Sequence, residues 1–335
     1  MNITKAVISQ FTSLRGKKTD KRLWFNIISN FIGKFAVALI LIGLAYVILY
    51  PIIFCVSQAI REPMDMYDAQ VIYIPKNFTF QNFKDAFDFL EYPKILMNTV
   101  NVALWPTLLQ LVTCSLAGYG FARFKFKGKG ILFALVLLTF IVPPQTISVT
   151  TYTTFRYFDP FYICSGLNMV GALPTPYIDI TDTLWSFILP ALFANGIKGG
   201  LFIFVYRQFF RGFPKELEEA AYIDGCGSFA TFIRILVPNT APAFVTVFLL
   251  SLVWYYNDYY TVPLFLPRTD VLSNSLSDMF TNMTTTGGLY AGVDPLLIYP
   301  IWRAGILLYI LPLLIIFLIG QRKFTESIAR TGIVG

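Results

Sequence analysis

Histidine is absent from this chain of 335 residues, and with it the commonest proton relay and metal ligand among side chains. Charge is scarce too: Asp, Glu, Lys and Arg make up 13% of the residues, about half of what a soluble domain carries. The four cysteines, Cys55, Cys114, Cys164 and Cys226, are scattered singly, without zinc-ligand spacing or the pattern of a disulfide framework. The apolar runs hold no Ser-Lys or paired-carboxylate arrangement, so no reactive cluster for catalysis is visible. A phosphate-binding loop is lacking as well. The nearest segment, GYGFARFKFKGKG (118–130), has Arg123 where G-x-G-x-x-G needs its last glycine and where G-x-x-x-x-G-K needs its first. These gaps weigh against a soluble domain, a metal centre, an enzyme site and a nucleotide site.

What is abundant is hydrophobic sequence: 56% of the residues, with a mean hydropathy of +0.63, the composition of a multi-span membrane protein. Six apolar runs approach the ~20 residues needed to cross ~30 Å of hydrocarbon, near 35–60, 98–121, 131–152, 184–208, 240–265 and 300–320. The first is too long for a signal-peptide core and lacks a small-residue cleavage site, so it reads as an uncleaved span. The fourth is interrupted by Pro190, Gly196, Lys198, Gly199 and Gly200 and reads as a short outer helix followed by the span proper. Basic residues outnumber acidic ones, giving a net charge of +7, which in a membrane protein marks inner loops rather than nucleic-acid binding. With the N-terminus inside, 18 Lys and Arg fall on inner segments and seven on outer ones, Lys198 being left unassigned. The positive-inside rule then puts both termini in the cytoplasm. The expected organisation is a basic N-terminal segment (1–34), a first transmembrane helix (35–60), an extracellular loop (61–97), a core (98–320) containing an inner loop at 209–239, and a cytoplasmic tail (321–335).

That inner loop, within FPKELEEAAYIDGCGSFATFIRILVPNTAP (213–242), is the most polar part of the second half of the chain. Pro214 suits a first helical position, and Glu216, Glu218 and Glu219 follow where the helix dipole favours negative charge. Ala220 and Ala221 offer a flat, narrow surface that a partner backbone can approach. Asp224-Gly225 signals a turn with glycine at positive φ; Ser228 is placed to cap a second short helix, and Pro238 to end it. By itself the pattern is equally that of a solvated connector.

Glu219-Ala220-Ala221, Gly225 four residues on, and then Ile235 and Pro238 resemble the EAA loop of ATP-binding-cassette (ABC) importer permeases, with Val237 where that family more often has Leu. The segments IPKNFTFQNFKDAF (74–87), MNTVNVALWPTLLQLVTCSLAGYGFARFKFKGKG (97–130), YRQFFRGFPKELEEAA, WYYNDYYTVPLFL and LPLLIIFLIGQRKF look like successive landmarks of the maltose-importer-like permeases of the carbohydrate-uptake group. The resemblance covers nearly everything from Phe31 to Gly335. It departs at about 156–183, at Cys226 where the family usually has Ala, and in the tail ARTGIVG. It implies an all-α integral membrane fold of six transmembrane helices, both termini cytoplasmic, with an EAA coupling hairpin between the fourth and fifth spans. It also implies a permease subunit of a prokaryotic cell-membrane importer, taking up a sugar or oligosaccharide delivered by an extracellular solute-binding protein. Its partners would be a second homologous permease subunit and two cytoplasmic ATP-binding subunits, which hold the ATP and Mg. Glu219, Ala220, Ala221, Asp224, Gly225 and Pro238 are the positions carried over as ATPase-coupling residues, and no catalytic or metal-binding residue is expected.

The transport path is less legible. Trp254, Asn257 and Asp258 in WYYNDYY (254–260) are the candidates, since polar groups inside a membrane usually face a bundle interior or a cavity, although Trp and Tyr also settle at the interface. Lys198 is open between a path-lining residue and a flanking one that snorkels. Two alternatives stand: a permease of the same type for a non-sugar solute such as a glycerophosphate compound, and an ion-coupled secondary transporter. The second would need buried carboxylates, and Asp258 is the one acidic residue placed inside a span; no inverted repeat is visible either.

Overall fold

The computed structural model describes residues 21–70, 72–285, 290 and 292–333. The first 20 residues of the basic N-terminal segment and the last two of the tail lie outside them. Among the described residues the chain is helical, without strands; two isolated bridges, Arg61 with Phe78 and Phe158 with Ile178, tie off loops.

Residues up to Ser57 and residues from Gln58 onward form two compact units. The first is carried by α1 (Lys21–Ala59), a helix of 39 residues that starts well before the apolar run does and tolerates Pro51 in its interior. From Phe35 to Ile53 it is apolar on every side and exposed, as expected of a segment solvated by lipid rather than by protein.

In the second unit, α2 (Gln81–Phe89) leads into α3 (Tyr92–Arg123), a helix of 32 residues. Then come α4 (Lys129–Ile141) and α5 (Pro144–Arg156), which meet at 98°. The cause lies in Val142-Pro143-Pro144: Pro143 has no N–H to give, and each proline pushes the residue before it out of helical φ/ψ. Short α6 (Ile163–Met169) and α7 (Trp185–Leu192) follow, then α8 (Gly199–Gly212), α9 (Lys215–Ile223) and α10 (Ser228–Asn239). α10 bends by 79° into α11 (Ala241–Tyr256). After α12 (Thr261–Phe265) and α13 (Leu272–Thr284), the chain closes on α14 (Pro295–Ile333).

Three of the apolar runs are unbroken helices long enough to cross a bilayer, Ser29–Ala59, Tyr92–Arg123 and Pro295–Gln321, and the bent pairs α4–α5 and α10–α11 bring the number to five if each is one span. The run at 184–208 is divided at 193–198 into α7 and α8. The 14 residues of α8 reach about 21 Å at ~1.5 Å per residue, short of the hydrocarbon thickness.

Two apolar clusters organise the second unit. One, around Tyr119, Phe202, Tyr206, Phe210, Phe232, Leu236 and Val247, joins α3, α8, α10 and α11. The other, around Val102, Phe187, Tyr255, Phe265, Leu272, Met279 and Ile298, joins α3, α7, α11, α12, α13 and α14. α3 belongs to both and is the axis of the unit.

Candidate functional site: a docked hairpin and a broken span

The hairpin 215–239 is fixed at its turn, at its first helix and along its second. At the turn the N–H of Cys226 donates to the carbonyl of Ala221 (2.9 Å) and that of Gly225 to Tyr222 (3.0 Å). Gly225 stands at φ +81°, the left-handed residue that this helix C-cap motif requires. The glycine expected at positive φ is therefore where the sequence put it. Three other details differ. Pro214 is the N-cap and Lys215 the first helical residue, because the proline keeps an extended ψ of 130°. Gly227 (ψ 165°), not Ser228, is the N-cap of α10. α10 also runs one residue past Pro238 and includes a π turn over Phe232–Leu236.

The first helix is clamped by Arg123 at the end of α3. Its guanidinium donates to the carbonyl of Phe213 at 2.8 Å and pairs with the carboxylate of Glu218, both side chains being under a tenth exposed. Burial pushes the Glu218 carboxyl above its ordinary range while Arg123 pulls it back. The second helix is held by Phe232, whose ring lies 5.0 Å from that of Tyr119 and edge-on to Phe210, and by fully buried Leu236.

What these anchors leave outside is apolar: Leu217, Tyr222, Phe229 and Ile233 are exposed, and Ile223 is 87% exposed at the tip beside Asp224. Glu219, Ala220, Asp224 and Pro238 are exposed as well, whereas Ala221 is buried. Its small side chain serves packing within this chain, and only Ala220 offers the flat surface expected of the pair.

The break at 193–198 leaves backbone groups without helical partners, and side chains of α3 and α11 pair with the backbone there. Thr113 donates to the carbonyl of Ala191 (2.7 Å) and Gln110 to that of Ile197 (3.1 Å), while the phenol of Tyr255 accepts the N–H of Ile197 at 3.1 Å. Ser251 donates to the other end of Gln110 (3.0 Å) and lies 3.2 Å from Thr107. Thr107, Gln110 and Ser251 are fully buried. Irregular backbone at membrane depth persists only where protein or water pairs it in this way. Gly196 lies close against these groups: a Cβ on it would lie 2.3 Å from the Tyr255 hydroxyl and 2.8 Å from the Gln110 amide, and would have to displace them.

Beside the break opens a cavity of about 750 Å³ lined by Phe140, Phe155, Phe187, Phe265 and other aromatics, with Ser148, Asn195, Lys198, Tyr255 and Thr261 among its polar groups. Lys198, at φ +58°, sets its ammonium 4.9 Å from the ring centre of Trp254 and 5.3 Å from that of Phe140. Trp254, Asn257 and Asp258 are not brought together on this wall. Trp254 touches it through Lys198, and Asn257 accepts from the hydroxyl of Tyr309. One carboxylate oxygen of Asp258 accepts the N–H groups of Tyr260 (3.0 Å) and Thr261 (2.9 Å) at the start of α12. From WYYNDYY it is Tyr255 that lines the cavity. Nothing in the sequence singled out Gln110, Ser251 or Tyr255 individually, but the glycine- and proline-interrupted run that they support does point to a site.

Broken spans around an aromatic cavity, joined to a firmly anchored polar hairpin with an apolar tip, make this a multi-span membrane component. More narrowly, the chain belongs to the family of binding-protein-dependent transport system inner membrane components, whose model matches residues 114–325. It is 27% identical to the probable ABC transporter permease protein YurM of Bacillus subtilis, over 95% of this chain and 93% of that one. With the arabinooligosaccharides transport system permease protein AraQ of the same organism it shares 29% identity over 78% of this chain and 81% of AraQ. A bacterial ABC transporter structure, involved in the import of the acidic polysaccharide alginate, contains a chain of the same fold: TM-score 0.66 at 17% identity, covering 88% of this chain and 98% of that one. The protein is thus an inner-membrane permease subunit of an ABC importer.

Proposed function

We propose that this chain forms half of the translocation path for a sugar or oligosaccharide and that the hairpin 215–239 docks into a cleft of a cytoplasmic ATPase subunit. The chain would cross the membrane six times, both ends inside, with α7 and α8 together making the fourth crossing. The bias of Lys and Arg toward the loops on the hairpin side supports that orientation. A second homologous permease would complete the path. An extracellular binding protein would deliver the solute, and two ATP-binding subunits would hold ATP and Mg. The carbohydrate reading is supported by relatives such as the arabinooligosaccharide permease AraQ and by the aromatic lining of the cavity, since flat rings stack on sugar faces. The volume lies in the range of small-molecule sites.

The observation that carries the coupling role is the exposed apolar tip, Tyr222, Ile223 and Phe229, on a hairpin whose other side is locked to α3 and α8. A push on such a tip moves the spans instead of bending a loop. Gly225→Val strains a residue at positive φ by about 1–3 kcal/mol, and Glu219→Lys reverses an exposed charge in the first helix. Both variants should insert normally in the membrane, with lowered substrate-stimulated ATPase activity in the reconstituted importer and poor co-purification of the ATPase subunit. Wild-type transport with normal assembly in both would reduce the hairpin to a solvated connector.

A further inference from the structure

At the hairpin end of the bundle, Arg123, Lys129, Arg207, Arg211 and Lys215 line one recess of about 390 Å³ together with Phe121. These cations are not spread over a convex loop, as a simple inner-face bias would leave them. Local bonds aim several of them into the recess. Lys129 donates to the carbonyl of Phe124 at 2.8 Å, and Arg207 sits over the ring of Phe133, its guanidinium carbon 3.9 Å from the ring centre and its Nε 3.4 Å from the carbonyl of Phe121. Of the five, Arg123 alone has a carboxylate partner among the described residues, and Glu218 is already committed to it. Lys215 stands within the field of that same carboxylate, so Lys129, Arg207 and Arg211 face one another without an anion of their own. Converging like charges repel, and such an arrangement is stable when an anion joins them.

We propose that this recess binds a phosphate group, presented as the headgroup of an anionic phospholipid. Arginine forks match phosphate oxygens two at a time, and basic recesses between spans are where such headgroups settle. The adjoining surface fits a lipid better than a soluble anion: Ile131, Leu132 and Leu135 of α4 project beside Lys129, 71%, 48% and 52% exposed, and offer acyl chains an apolar shoulder. The glycine- and lysine-rich stretch 118–130 thus acts through its side chains and not as a backbone cradle.

The test uses the assembled importer in phosphatidylcholine vesicles doped with spin-labelled phosphatidylglycerol, reading the motionally restricted fraction by electron paramagnetic resonance. Relative to spin-labelled phosphatidylcholine, the wild-type protein should bind the anionic label selectively. R207Q/R211Q should weaken that preference by roughly thirtyfold, the equivalent of ~2 kcal/mol for two charges near a membrane surface. R211Q alone, whose side chain makes no hydrogen bond with the described residues, should give an intermediate loss without disturbing assembly. K125Q/K127Q removes equal charge from exposed positions outside the recess and should change little. Equal weakening by both double variants, or no preference in the wild-type protein, overturns the site. Displacement of the label by inorganic phosphate, added at matched ionic strength, would keep the anion site but overturn the lipid as its source.

Discussion

Arg123 joins α3 to two points of the hairpin, the Phe213 carbonyl and the Glu218 carboxylate, so its loss and the loss of its partner should not be equivalent. Arg123→Gln leaves a buried carboxylate without its cation, a change that costs about 3–5 kcal/mol when one member of such a pair is removed. Removing both charges in R123Q/E218Q should restore a large part of that stability, because no uncompensated charge remains. A thermal-unfolding series of the assembled importer would show the single variant with the lower midpoint, and the reverse order would contradict the clamp. Gly225 was legible from the sequence because a left-handed C-cap has one preferred residue. Ala221 was misread, since small size alone does not say whether a side chain faces a partner or its own core. The partnership of Glu218 with Arg123 was invisible, because no local pattern links positions 95 residues apart in the chain.

The apolar runs were legible as elements, but their breaks were only partly so. The run at 131–152 was read as one span, and the 98° bend between α4 and α5, set by the φ that Pro143 and Pro144 fix, was missed. The gap at 193–198 was foreshadowed by its glycines, yet what makes it tolerable is Gln110, Thr113 and Tyr255 on two other helices. Gln110→Leu, close in size but unable to donate or accept, should leave the Ile197 carbonyl without its side-chain donor at about 1–3 kcal/mol where nothing replaces the bond, while Ser251 keeps Thr107 as its neighbour. The expected outcome is a lower melting midpoint of the assembled importer, with solvent reaching a cysteine probe at Asn195 faster than in the parent. Unchanged melting and labelling would mean that the break is supported by other groups. The path residues were harder to read because an aromatic cluster near a membrane face reads the same whether it binds a ligand or rests in the interface. The chain geometry separated Tyr255, on the cavity wall, from Asp258, whose oxygen caps the next helix.

At the scale of the whole molecule, α14 leaves Leu311, Leu314, Ile315, Leu318 and Ile319 about half exposed or more, and α3 does the same with Met97, Trp105 and Val112. These apolar surfaces await lipid or a second permease. The topology gives a direct check: cysteines introduced at Asp68 and Thr285 should react with an impermeant reagent on intact cells, and one at Gly128 should not. Labelling at Gly128 from outside would invert the arrangement. The pairing of Gln110 with Ser251 also sets a clock for biogenesis. Their partners are separated by 141 residues of chain, which at about 5–20 residues per second of synthesis takes roughly 7–30 s. Until Ser251 is made the side-chain carbonyl of Gln110 lacks the hydroxyl that donates to it in the folded chain, so a newly inserted α3 would favour early capture by water, the insertion machinery or a neighbouring helix over release into lipid.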